Sequence, residues 1–192
     1  MRNRIEVRLF IVAVSTALVS VGCPLGGIPG PTNGDGVSLD ISSKEEDAFD
    51  AVNQERVAEG LSILTMREDL RAVARAHSED MADRDFFDHV NPDGDDPFDR
   101  MADAAITYNT AGENIAWTNY SNAVEQVVDG WMNSPGHRAN ILNTNFTHTG
   151  MGVASDGEGG YYFTQVFIGI SKDVPEGFVE IYYDEPIALF AD

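Results

Sequence analysis

"THTGMGVASDGEGGYYFTQVFIGI", residues 147–170, is where the pattern of the chain changes. Upstream, apolar residues recur every three or four positions. Here the period falls to two, and the glycine-rich "DGEGG" of 156–160 interrupts it. The stretch reads as two strands joined by a turn, and "FVEIYYD" (178–184) reads as a third. Helices come first and strands last. That order predicts an α+β fold in which helices pack on an antiparallel sheet.

Three helices are expected ahead of the strands. "SSKEEDAFDAVNQERVAEG" (42–60) carries a capping pair, Ser43 and Glu46. Phe49, Val52, Arg56 and Val57 follow at helical spacing, and Gly60 is the expected stop. "REDLRAVARAHSEDMADR" (67–84) puts Leu70, Val73, Ala74, His77 and Met81 on one face. A third helix is predicted from Ser121, its cap, to Asn133, with Val124, Val127, Val128 and Trp131 on one stripe. Pro135 and Gly136 should end it and turn the chain. Trp131 and Trp117 read as core side chains.

The charge excludes some partners. The chain has 192 residues, 32 of them Asp or Glu against 12 Lys or Arg, for a net charge of -20. Such a balance repels nucleic acid and anionic membrane surfaces. It suits a hydrated acidic shell, either that of a protein from a high-salt habitat, where screening removes the self-repulsion, or that of an acidic protein from an ordinary one.

The N-terminus argues for export. Arg2, Arg4 and Arg8 precede an uncharged run, Leu9–Val21, too short for a membrane span of about 20 residues. Gly22 then precedes Cys23, the only cysteine, so no disulfide can form within the chain. The arrangement resembles a lipoprotein cleavage site, although Ser20 stands where an aliphatic residue is usual. Residues 1–23 are therefore expected to be a signal with Cys23 as its lipidation site, with simple secretion or an uncleaved anchor as the alternatives. Residues 24–43, with three prolines and no aromatic, should be a flexible tether. The domain is expected over 44–170, with a C-terminal extension over 171–192.

Four histidines are available. His77 belongs to the apolar face of a helix and reads as a core residue. His148 reads as structural or exposed. His89, in "FFDHVNPDG", and His137, in "SPGHRANIL", both appear in loops, where sites tend to be built. Between them Glu113 sits in "TAGENIAW" (110–117), flanked by Gly112 and the apolar Ile115. Two imidazoles and a carboxylate could hold a divalent metal such as zinc, or equally form an acid–base set. The carboxylate-rich "NPDGDDPFD" (91–99) lacks the spacing of a calcium loop and reads as solvated.

Six segments together carry a family resemblance: "AVNQERVAEGL", "AHSEDMADRDFFDHVNPDG", "GENIAW", "GWMNSPGHRANILN", "FTHTGMGVA" and "YYFTQVF". In this order, across about residues 46–168, they resemble the CAP superfamily, also called SCP or pathogenesis-related-1-like, in its short prokaryotic form. The resemblance implies an α-β-α sandwich, a mostly antiparallel central sheet flanked by helices. It also implies a cleft built from two His and two Glu, matched here by His89, Glu113 and His137. Ser134 stands at the position of the second Glu. Members bind divalent cations, zinc among them, through the two histidines.

The expected role is an extracellular binding module, anchored to the outer face of the membrane through Cys23, that recognises a lipid, a glycan or another envelope component. The alternative is a secreted hydrolase using Ser134, His137 and Glu113, although no nucleophile-elbow pattern surrounds Ser134. Asn140 is expected to brace the loop through side-chain hydrogen bonds to backbone.

Overall fold

The structure is a computed structural model, and it describes residues 35–170, 180–183 and 186–189. The signal, Cys23 and the first part of the expected tether lie outside the described residues. So do residues 171–179 of the C-terminal extension. All that is described belongs to one compact unit, Asn33–Asp192.

Its elements are α1 (Asp35–Ala58), β1 (Thr65–Met66), α2 (Glu68–Arg84), α3 (Pro97–Asp103), β2 (Thr110–Thr118), α4 (Ala123–Asn133), α5 (Pro135–Ile141), β3 (His148–Ser155), β4 (Tyr161–Gly169), β5 (Glu180–Tyr183) and β6 (Ile187–Leu189). The order across the sheet is β1-β3-β4-β2-β5, and β6 also pairs with β2. The long pairings, β2 with β4 and β3 with β4, are antiparallel. The short ones, β1 with β3 and both β5 and β6 with β2, are parallel. The sheet is therefore mixed, antiparallel at its centre and parallel at its margins. The expected strand over 178–184 appears as β5, in a parallel register.

Each face of the sheet has its own core. On one side Leu70, Val73 and Ala74 of α2 and Met101 of α3 bury against Ala111, Val166 and Ile168. On the other, Ala48 and Val52 of α1, Val127 and Trp131 of α4 and Ile141 of α5 meet Met151, Phe163 and Phe167. Each fully buried side chain of Leu or Phe size contributes roughly 1.5–3 kcal/mol by leaving water. These two layers form the α-β-α sandwich.

α2 lies close against β3 because β3 has no side chains in the way. A Cβ on Gly150 would sit 2.2 Å from the Leu70 backbone, and one on Gly152 would sit 2.2 Å from Arg75 N. Ser78 then reaches the Gly152 carbonyl at 3.1 Å and Thr164 Oγ1 at 2.8 Å. α1 is fastened by a buried charge. Glu45 is fully buried, accepts from Arg75 Nε at 2.7 Å and from the Val153 amide at 3.3 Å, and so joins α1 to α2 and β3.

Several sequence expectations need correction. α1 begins at Asp35, so residues 35–43 of the expected tether are helical, and Ser43 and Glu46 lie inside the helix instead of capping it. Ile41 supplies the reason, because it packs against the core and draws that turn into the fold. α4 begins at Ala123, after Asn122; Ser121 is not its cap. Pro135 and Gly136 do end α4, but they also open α5, with Pro135 in its first turn, where its fixed φ and missing N–H are tolerated. The acidic stretch 91–99 contains the start of α3. Asp96 accepts from the amides of Phe98 and Asp99 at 2.8 and 2.9 Å, and Asp99 accepts from the Asp96 amide at 3.2 Å.

Candidate functional site

The site is organised by β2. Along a strand successive side chains point to opposite faces, so Glu113 and Asn114 face opposite layers. Each carries its own polar cluster.

Glu113 faces the α2/α3 layer and is fully buried. His89 Nδ1 lies 2.7 Å from its Oε1. Arg100 Nη2 donates to both oxygens, at 2.9 Å to Oε2 and 3.2 Å to Oε1. Arg100 Nη1 also donates to the carbonyls of His89 and Asp95, each at 2.9 Å. One guanidinium therefore ties the loop after α2 to the centre of the sheet. Burial works against the Glu113 charge, but the His89 hydrogen bond and the Arg100 charge outweigh it and hold the carboxyl below its ordinary value.

His77 borders this cluster. It is 1% exposed, its Nε2 lies 3.0 Å from the Asp88 carbonyl, and its ring meets Phe86 edge-on. Burial drives its pKa down to about 4, so it is neutral in the fold. This is the core histidine expected from the sequence. His148 opens β3, is half-buried and contacts Thr147 Oγ1 at 2.8 Å.

Asn114 faces the α1/α4/α5 layer. Its Nδ2 donates to the His137 carbonyl at 3.2 Å, and its Oδ1 accepts from Asn140 Nδ2 at 2.8 Å. Asn140 Nδ2 also donates to the Glu113 carbonyl at 3.3 Å, the side-chain-to-backbone contact expected of it. His137 is buried within α5, not in a loop, and its Nδ1 lies 2.7 Å from Ser134 Oγ.

The structure thus brings His89 and Glu113 together and joins His137 to Ser134, with β2 running between the two pairs. α5, which carries His137 and Asn140, packs on the Asn114 face of β2. Both Glu113 oxygens are committed to cationic or N–H donors, and no group of three His, Cys, Asp or Glu among the described residues is placed to hold a metal ion.

Two residues of the site escaped sequence reasoning. Arg100 follows an Asp-Pro helix start that reads as loop. Asn114 is masked by Glu113 beside it. Trp131 is fully buried, as expected, whereas Trp117 keeps part of its surface in water.

Comparison with known proteins agrees with this fold. The sequence signature of the cysteine-rich secretory protein (CAP) family matches residues 49–167. The Bacillus subtilis protein YkwD is 47% identical over 129 residues, 67% of this chain and 48% of YkwD. The B. subtilis membrane protein YlbC is 38% identical over 127 residues, 66% of this chain and 35% of YlbC. The chain thus spans half or less of these relatives' lengths. The crystal structure of an extracellular protein containing an SCP domain from Bacillus anthracis superposes with a TM-score of 0.65 at 33% identity. That match covers 73% of this chain and 45% of the other.

Proposed function

Because the chain belongs to the cysteine-rich secretory protein (CAP) family, we propose that it is a binding module displayed outside the cell and held to the outer face of the cell membrane by a lipid on Cys23. One observation supports binding over catalysis. Glu113, the acid of the expected site, is buried with both oxygens engaged by Arg100 and His89. A general base must be able to reach a substrate proton, and this carboxylate is occupied by the protein itself. The cluster instead fixes the loop carrying His89 against the sheet. The extracellular character of the B. anthracis relative supports the placement outside the cell.

A secreted hydrolase is the second reading. The 2.7 Å contact between Ser134 and His137 favours it, as does a cavity of about 700 Å³ between α4 and β6 that Ser134 lines with Gly130, Asn133 and Ile187. Glu113 is already engaged by Arg100 and His89 on the opposite face of β2, which supports placing the binding module first.

The two readings separate in one comparison. The full chain and Ser134→Ala are screened against esters, peptides and glycans, and both are tested for retention on wall sacculi. Retention without turnover is the expected result. Turnover that disappears in Ser134→Ala would reverse the order of the readings. For the anchor, Cys23→Ala should move the chain from the membrane fraction into the medium on fractionation. An unchanged membrane fraction would remove the lipid from the account.

A further inference from the structure

Four aromatic rings collect on the α2/α3 side of the sheet. Phe86 and Phe87 follow the end of α2, Trp117 is near the end of β2, and Tyr162 near the start of β4. Trp117 and Tyr162 are cross-strand partners with ring centroids 6.5 Å apart, and Phe87 lies 6.1 Å from Tyr162. Met81 and Ile115 are the apolar floor beneath them. Phe86, Phe87 and Trp117 all keep part of their surface in water.

The ring of Trp117 is held in place. Its Nε1 donates to Asp156 Oδ2 at 3.2 Å, and Asp156 Oδ1 accepts from the Glu158 and Gly160 amides, each at 2.8 Å. A Cβ on Gly160 would come within 2.6 Å of the indole. The β3–β4 turn is therefore shaped around this side chain. Tyr162 is 9% exposed, yet its hydroxyl has no hydrogen-bond partner among the described residues, and it is not a sealed, buried atom. Burial first, and then the charges of Asp85 and Asp156, keep Tyr162 protonated and able to donate.

We propose that these rings form a binding platform for a neutral glycan. This rests on the binding-module reading and names its ligand class. A pyranose presents a face of C–H groups and a rim of hydroxyls. The partly exposed rings of Trp117 and Phe87, braced by the buried ring of Tyr162, are apolar surfaces on which that face can stack. The Tyr162 hydroxyl and the exposed Asp85 match the rim. An acyl chain would leave that hydroxyl and carboxylate without partners, a cost that opposes burial. Anionic headgroups and nucleic acids meet a chain of net charge -20.

The test titrates chitotetraose, a neutral tetramer of β-1,4-linked N-acetylglucosamine, into the full chain. Tryptophan emission and heat are recorded, and retention on wall sacculi is measured in parallel. Trp131 is sealed in the core, so a change in emission reports Trp117. The tetramer should bind, and Phe87→Ser and Tyr162→Phe should each weaken it at least about tenfold. Tyr162→Phe removes only an oxygen and should leave the melting temperature unchanged, so its loss of binding cannot be a loss of fold. Equal binding by wild type and both variants overturns the platform, as does binding of oligolysine or anionic vesicles in place of the tetramer. If sacculi retain wild type and variants alike, the platform falls while the binding module survives. If nothing is retained or bound, both fall.

Discussion

Glu113, a candidate acid in the sequence, is held on both oxygens by other side chains in the fold. Its carboxylate is charged, buried and matched by Arg100 and His89. Removing one partner of such a pair strands the other charge out of water. Arg100→Leu should therefore cost about 3–5 kcal/mol in urea denaturation at neutral pH, and adding Glu113→Leu should restore part of it. A loss under about 1 kcal/mol would mean that the pair is solvated and weak. Because folding lowers the Glu113 pKa from its ordinary value of 4.5, its contribution is full above that pH. It disappears as pH falls through the lower folded value, and Glu113→Gln should lack this acid-side loss. His77 adds a second window. Folding lowers its pKa from 6.5 to about 4, so the unfolded chain takes up the proton first and stability declines as pH falls from 6.5 to about 4. The full effect is roughly 3 kcal/mol at 1.36 kcal/mol per unit. His77→Gln should flatten that slope, and an unchanged slope would place the titration elsewhere. The sequence made His89 and Glu113 legible as a pair of interest through the family motifs. It could not show Arg100 as their partner, because nothing local links a helix residue to a strand residue further along the chain.

At the scale of elements, legibility followed burial. α2, β3 and β4 matched expectation because their apolar periods are regular. β2 did not announce itself as a strand. It is buried on both faces, so "TAGENIAW" shows no alternation, and its two polar residues face opposite layers. α3 and α5 were missed for a shared reason. Each begins at a proline, Pro97 or Pro135, that reads as a breaker but occupies the first turn of a helix. The capping pair at Ser43 misplaced the start of α1 because the packing of Ile41, a tertiary effect, carries the helix upstream of a good local start signal. The tight contact between α2 and β3 gives a test of element packing. Gly150→Ala would place a methyl group 2.2 Å from helix backbone, which cannot rotate away. It should cost at least the roughly 3 kcal/mol at the upper end of overpacking. Thermal unfolding decides this, and a variant that melts with wild type would show that α2 can move off the sheet. Asn140→Ala should cost about 1–3 kcal/mol by leaving the Glu113 carbonyl and Asn114 Oδ1 short of a donor.

At the scale of the molecule, the chain has a net charge of -20, and among the described residues the arginines are largely engaged, Arg75 with Glu45 and Arg100 with Glu113 among them. The remaining carboxylates repel one another across the surface, and salt should relieve that repulsion. The melting temperature should rise steadily with NaCl into the molar range; a flat or falling curve would remove the high-salt habitat. Among the described residues no helix is long and apolar enough to cross a membrane. What defines the molecule is that β2 separates two polar clusters, His89–Glu113–Arg100 on one face and Ser134–His137–Asn140 on the other. A crystal structure soaked in zinc, with anomalous scattering recorded at the metal edge, tests that separation most directly. The account predicts no peak within about 2.0–2.1 Å of ring nitrogens of both His89 and His137. One ion bound by both rings would contradict it.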